Sequence, residues 1–264
     1  MIEAIVLGVV QGIAEWLPVS SEGILYLIKT TFFKSQDSFD LVIKEALFLH
    51  FGTFLAALIY FRKDVVRLLK SLFNFKTANL SDRKIIRFLL VSTLISVVFG
   101  FPILMSFKYL DLSSAWTAKI ISLLVGILLL VTAALQIKAS KAGYKNYQDI
   151  TDSDSGLLGF MQGLAAIPGL SRSGLTVSAL LLRKFDRVPS LKLSFLMSLP
   201  IVLGGNILFN LDKFNLDLYN LTSLFFSFLF GLLTIDILLK LARKVNFGYF
   251  ILIFGVLTIV ATFF

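Results

Sequence analysis

Two clusters of polar residues interrupt an otherwise apolar chain, and their side chains suit phosphate chemistry. The first, Gly8 to Gly23, carries Gln11, Glu15, Ser20, Ser21 and Glu22 around Pro18. The second, Gly159 to Gly174, carries Gln162, then Pro168 and Gly169, then Ser171, Arg172 and Ser173. At a constant offset of 151 residues six positions are identical: Gly8/Gly159, Gln11/Gln162, Gly12/Gly163, Ala14/Ala165, Ser20/Ser171 and Gly23/Gly174. One copy adds a carboxylate and the other a guanidinium. Paired interrupted segments in the two halves of a membrane protein point to a binding site.

Arg172 lies deep in an apolar stretch, where inserting a charge costs about 2.5–3.5 kcal/mol, so it requires a partner. A structural pair with Glu15 would satisfy it, but its neighbours favour anion binding. Ser171, Ser173 and Thr176 surround it, and Pro168-Gly169 frees backbone N–H groups at the start of a half-helix, a position suited to phosphate. The planar guanidinium can grip phosphate oxygens in a bidentate way. Gln11 and Glu15 are one helical turn apart and share a face. That face can hold a hard divalent cation, Mg2+ or Ca2+, or an activated water. Ser20 is placed to cap the half-helix after Pro18. One of the two serine hydroxyls can serve as nucleophile or transition-state donor, with Glu15 as base.

The elements that position these residues belong to a membrane. The chain is 57% hydrophobic and 16% charged, with a mean hydropathy of +0.89, far from a soluble domain. Cysteine is absent, which excludes disulfides and thiolate chemistry. The net charge of +9 implies no nucleic-acid partner here, because placement of Lys and Arg matters more than their total in a membrane chain. No basic residues precede the first apolar stretch, so Met1–Leu17 does not read as a cleaved signal.

Six spans are expected, at 41–61, 86–107, 117–137, 192–211, 221–239 and 247–264. Segments 1–28 and 156–182 are each broken at proline and fit re-entrant hairpins of two half-helices. The loop 62–85 with Arg87, and segments 138–155, 183–192 and 240–246, hold eighteen Lys/Arg against four in 29–40, 108–116 and 212–220. The rich set is therefore cytoplasmic. This closes only if 156–182 returns to the cytoplasm and 1–28 to the exterior, with both termini external. The expected fold is thus an all-α polytopic bundle in a single membrane domain, 1–264. It is an inverted-topology repeat of about 1–137 and about 156–264, whose hairpin tips meet near the midplane. Phe39 and Phe195 extend the correspondence weakly.

Gln-Gly-x-x-Glu-x-x-Pro-x-Ser-Ser at 11–21, with Pro-Gly-x-Ser-Arg-Ser-Gly-x-Thr at 168–176, resembles the undecaprenyl-diphosphate phosphatase family of the bacitracin-resistance type. The resemblance covers nearly the whole chain. It implies dephosphorylation of a C55 polyprenyl diphosphate to the monophosphate, recycling a lipid carrier for cell-envelope synthesis. It also implies help from a divalent metal and a site open to the cell exterior. By carry-over Gln11 and Glu15 match the family's Glu/Gln-x-x-x-Glu motif, Ser21 its candidate nucleophile, and Arg172 its diphosphate-binding arginine. Two positions depart from the pattern. Ile24 follows Gly23 where the family usually has histidine, so a mechanism needing that imidazole cannot operate. Glu22 replaces a small polar residue and adds a carboxylate able to ligate metal.

The single histidine, His50, stands where the family tends to have glutamine and is expected to be a hydrogen-bonded packing residue. Lys44 and Glu45 are expected at the external interface, Asp236 and Lys240 as a structural i,i+4 pair, and Trp116 as an interface anchor. A polyprenyl-phosphate transporter would use the same midplane groups but would not need Glu15 as a base. A lipid phosphatase with a histidine nucleophile needs more than one histidine.

Overall fold

The computed structural model describes residues 1–17, 19–35, 37, 39–106, 115–139, 143–167, 169–210, 217–246 and 248–262. Pro18, Pro168, Lys108, Lys141 and Lys213, and the side chains of Phe39, Trp116 and Arg243, lie outside the described set. The described residues form α-helices and one short 3-10 turn, with no strand among them. The helices are α1 (Ile2–Ala14), α2 (Ser21–Thr31), α3 (Phe39–Tyr60), α4 (Arg62–Phe73), α5 (Leu80–Ser106) and α6 (Ala115–Lys138). They continue as α7 (Asp152–Leu164), α8 (Arg172–Leu182), α9 (Arg187–Asn210), α10 (Leu218–Lys244) and α11 (Gly248–Ala261).

Four described helices are long and apolar enough to cross a bilayer: Leu41–Tyr60, Leu80–Ser106, Arg187–Asn210 and Leu218–Leu241. The stretches expected as spans at 117–137 and 247–264 hold α6 and α11, which pack along each other. Several boundaries differ from expectation: α9 begins at Arg187 rather than at 192, and α10 runs to Lys244 rather than 239. Helix α5 begins at Leu80, before its apolar run, because Asn79 accepts from the Asp82 N–H at 2.8 Å and starts the helix in polar sequence. The segment expected as a basic loop, 62–85, instead contains α4, whose Val65, Leu68, Leu69 and Leu72 recur at helical spacing.

Each broken segment is a pair of half-helices. Ser20 starts α2 by accepting from the Gly23 N–H at 3.3 Å, and Ser171 starts α8 by accepting from Gly174 at 3.0 Å. Gly169 lies between α7 and α8 with φ +96°, and a Cβ there would sit 2.9 Å from the Val125 Cα of α6. Only glycine satisfies both constraints.

The first half-helix of each pair packs on a helix from the other half of the chain. Helix α1 lies along α10, and α7 along α5. Both contacts use the same device. Gly8 and Gly12 face Ser223, Ser227 and Gly231, while Gly159 and Gly163 face Ser92, Ser96 and Gly100. Small residues four apart let backbones approach closely, the packing favoured where lipid removes the hydrophobic drive between helices. The half-helix pairs are also tied at their outer ends. Lys29 reaches Glu3 at 3.6 Å, and Arg183 reaches Asp154 at 2.7 Å. Glu3 and Asp154 are themselves 151 residues apart.

Asp154 has a fully buried side chain that also accepts from Thr151 N at 2.9 Å. Burial alone would raise its pKa, but hydrogen bonds from Thr151 and Arg183 outweigh that and hold it below the usual carboxylate range. A depressed folded-state pKa contributes stability above the unfolded value, and this is lost as pH falls through the folded one. Asp154→Asn is expected to lower stability by about 1–3 kcal/mol near neutral pH. In thermal unfolding of the detergent-solubilised protein, its gap from wild type should shrink below about pH 4.

Gly12→Leu would place a Cβ 2.7 Å from the Gly231 backbone nitrogen, whereas a Cβ at Gly204 meets nothing within 4 Å. Gly12→Leu should therefore cost about 1–3 kcal/mol or more by overpacking. Gly204→Leu should melt as wild type does.

Candidate active site

The two breaks meet, and each supports the other. The Gly169 N–H donates to Ser20 Oγ at 3.3 Å, and Ser173 Oγ donates to the Leu17 carbonyl at 3.0 Å. Glu15 closes α1 as its C-cap, so its side chain projects from the break toward the opposite tip. Glu15 Oε1 forms an ion pair with Arg172 Nη2 across that junction. Both are removed from solvent, with side chains 6% and 16% exposed, so the pair sits where its Coulomb attraction is little screened.

Glu15 Oε2 gathers the remaining groups. Gln11 Nε2 donates to it at 3.0 Å, His50 Nε2 lies 3.1 Å away, and Ser21 Oγ lies 3.5 Å away. Ser21 Oγ is also 3.4 Å from His50 Nε2. Both contacts are long for a hydroxyl, whose usual reach is about 2.7–2.8 Å. The other hydroxyls are more firmly held. Ser20 donates to Glu22 at 3.2 Å while capping α2, and Ser171 caps α8. Thr176 Oγ1 pairs with Ser194 Oγ at 2.7 Å. Ser21 thus carries the loosest buried hydroxyl beside a carboxylate and an imidazole.

All nine residues singled out by sequence come together here: Gln11, Glu15, Ser20, Ser21, Gly169, Ser171, Arg172, Ser173 and Thr176. Their roles divide, since Gly169, Ser171 and Ser173 shape and join the tips. His50 was expected in packing, and its Nδ1 does bond the Ala46 carbonyl at 2.6 Å. That bond aims Nε2 into the site, toward Glu15, Glu22 at 3.3 Å and Ser21. An ionisable group inside an apolar span was the available signal. Ser194, whose carbonyl accepts from Arg172 Nη1 at 3.3 Å, carried no such signal. Phe195 beside it lies 5.9 Å below the guanidinium, a cation–π contact. Trp16 is buried, donating to the Gly231 carbonyl at 2.9 Å. Glu45 joins Lys29 and Tyr219 in a polar cluster at the other end of α3.

A largely apolar groove of about 190 Å³ lies between α3, α5, α7 and α9, and Glu22, His50 and Arg172 are among the residues that line it. Leu47, Val97, Phe101, Leu104, Ile201 and Leu208 line its length. Gly204 and Gly205 widen it. Gln11 Oε1 is buried beside Glu15 without a hydrogen-bond partner, an oxygen suited to a hard cation. No group of three or more His, Cys, Asp or Glu side chains that could hold a metal ion occurs among the described residues. The protein would thus offer such a cation Gln11 and Glu15, with substrate oxygens and waters completing its shell.

The family description "Bacitracin resistance protein BacA" matches residues 4–260. The chain is similar to the undecaprenyl-diphosphatase of Methanococcoides burtonii, with 44% identity over 99% of this chain and 98% of the relative. It is also similar to those of Haloarcula marismortui, 37% identical over 97% and 95%, and Methanothrix thermoacetophila, 34% identical over 99% and 96%.

Removing one partner of a buried ion pair strands the other. Arg172→Gln is expected to destabilise the protein by about 3–5 kcal/mol. Adding Glu15→Gln should recover much of that loss, and the coupling is read from a double-mutant cycle of thermal unfolding.

Proposed function

The chain belongs to the bacitracin resistance protein BacA family, and on that premise we propose that it is an integral membrane phosphatase acting on a polyprenyl diphosphate of the undecaprenyl type. It releases inorganic phosphate and leaves the monophosphate, returning a lipid carrier for cell-envelope glycan synthesis. The observation that carries this reading is the meeting of Glu15 and Ser21 with Arg172, which itself lines an apolar groove together with Glu22 and His50. A prenyl chain lies along the groove while its diphosphate reaches the paired tips.

Arg172 binds and orients the diphosphate, and its charge offsets that developing on the transferring group. Ser21 Oγ attacks the terminal phosphorus and gives its proton to Glu15. An O–P bond forms at Ser21 as the bond to the bridging anhydride oxygen breaks, and polyprenyl monophosphate leaves. Glu15 passes that proton to the departing monophosphate oxygen, then takes one from a water whose oxygen attacks the phosphoserine phosphorus, and returns it to Ser21 Oγ as the Ser21 O–P bond breaks and phosphate is freed. Gln11 and Glu15 would hold a divalent cation, Mg2+ or Ca2+, which would neutralise phosphate charge. His50 Nε2, 3.4 Å from Ser21 Oγ, stands beside the same proton.

The topology that fits this chemistry is six full spans with two re-entrant hairpins, α1–α2 and α7–α8, entering from opposite leaflets. The chain is one membrane domain of two inverted repeats, about 1–137 and 156–264. Lys/Arg-rich connections face the cytoplasm, and the site opens to the extracytoplasmic side of the plasma membrane. The swapped packing of α1 on α10 and α7 on α5 supports a repeat of this kind.

Detergent-purified protein is expected to release phosphate from a polyprenyl diphosphate in a metal-dependent manner. Glu15→Ala, Ser21→Ala and Arg172→Ala should each lower kcat/KM by about a hundredfold or more. Gly204→Leu should keep the fold and raise KM. Tight lipid binding without turnover would instead identify a carrier, and full activity in Ser21→Ala would give the attack to water.

A further inference from the structure

Helix α4 is joined to the end of α3 through a single residue, Phe61. The 22 residues of α3 extend about 33 Å at 1.5 Å per residue, close to the hydrocarbon thickness of about 30 Å. Helix α4 therefore begins at the depth of the lipid headgroups.

Its rotation is pinned by its inner edge. Leu68 is buried, Asp64 pairs with Lys192 of α9 at 2.7 Å, and Asp82 of α5 receives Arg67 at 2.6 Å and Ser71 at 3.0 Å. Two edges remain outward. Val66, Leu69 and Phe73, spaced i, i+3 and i+7, form an apolar edge that is 49%, 49% and 85% exposed. Lys63 and Lys70, spaced i and i+7, form a basic edge beside it, while Arg67 between them is turned to Asp64 and Asp82. Arg62, Lys63, Arg67 and Lys70 line an open cleft with Val66, Ser71, Asn79 and Asp82, whose carboxylate is taken up by Arg67, Ser71 and Asn79.

We propose that α4 is an interfacial helix that binds anionic phospholipids of the adjoining leaflet. Its Val66–Leu69–Phe73 edge enters the acyl region, and Lys63 and Lys70 contact lipid phosphates. Neither lysine has a carboxylate partner among the described residues, so both are available to a phosphodiester. A basic amphipathic helix at this depth gains from both apolar burial and the surface charge of the lipid. A helix presented to water would leave three large apolar groups exposed. A soluble acidic partner would satisfy the lysines but not an apolar edge at headgroup depth. This surface is remote from Glu15 and Arg172 in the chain's organisation and does not depend on the reaction assigned to them.

The test uses full-length protein carrying Phe73→Trp in liposomes, with the signal of the parent protein subtracted. Lipids brominated on the acyl chain near the headgroup report contact by quenching. At equal mole fraction, brominated phosphatidylglycerol should be favoured over brominated phosphatidylcholine by about fivefold or more. The preference should fall toward unity in Lys63→Gln/Lys70→Gln and at high salt. Both lysines are exposed, so unchanged thermal unfolding of the double variant verifies its fold. Equal quenching by the two lipids would overturn the anionic site. No quenching by either would put the edge in water or against a protein, and would overturn the proposal entirely.

Discussion

A carboxylate and a guanidinium in an apolar interior can be held only against each other or against a ligand. Glu15 and Arg172 meet this constraint across the junction of two helix breaks, and the surroundings follow from it. The pair exists because α1 and α7 both stop short, each leaving its next half-helix to start from a serine cap. The caps lie close enough to be joined, Gly169 to Ser20 and Ser173 to Leu17. With the tips locked, Glu15 uses one oxygen for Arg172 and turns the other toward Gln11, His50 and Ser21. A charged ligand arriving at Arg172 would compete with Glu15 for the guanidinium, and in doing so would free a carboxylate beside the Ser21 hydroxyl.

Holding two helix ends face to face in lipid requires close-packed supports. The glycines of α1 and α7 supply them by resting on the serine and glycine rows of α10 and α5. Gln162, the counterpart of Gln11, shows how the two halves have diverged within that frame. Its Nε2 donates to Ser96 and the Met197 carbonyl at 3.1 and 3.3 Å, tying α7 to α5 and α9. Gln11 Nε2 instead donates to Glu15. One amide became a brace and the other a member of the site.

Much of this was legible from spacing alone. The two polar clusters identified the residues that meet, because a lone Arg172 in an apolar stretch demands a partner and Glu15 is one of two acidic residues in the matching segment. Capping by Ser20 was equally plain, since a serine after a proline break has little else to satisfy. His50 was harder. Its neighbours Leu49 and Phe51 are apolar and its pattern is that of any span, so nothing local indicates that Ala46 fixes the ring to aim Nε2 at Glu15. Its position depends on how α3 rotates against α1 and α2, which tertiary packing decides. Helix α4 was obscured differently. Its charges made the segment look like a loop, although the apolar residues between them keep helical spacing. The Ser-x-x-x-Ser-x-x-x-Gly rows of α5 and α10 became meaningful only once their glycine partners were seen opposite them.

The exchange of partners between halves has a consequence for how the chain is made. Helix α1 rests on α10, more than 200 residues later, so an early segment waits for a much later one before its packing face is filled. Contacts of such long sequence separation form slowly. Until α8 emerges, the nascent α1–α2 unit carries Glu15 and Glu22 without Arg172. Biogenesis must shelter those charges, whether by delayed insertion or by an insertase that holds the early helices until the later ones emerge.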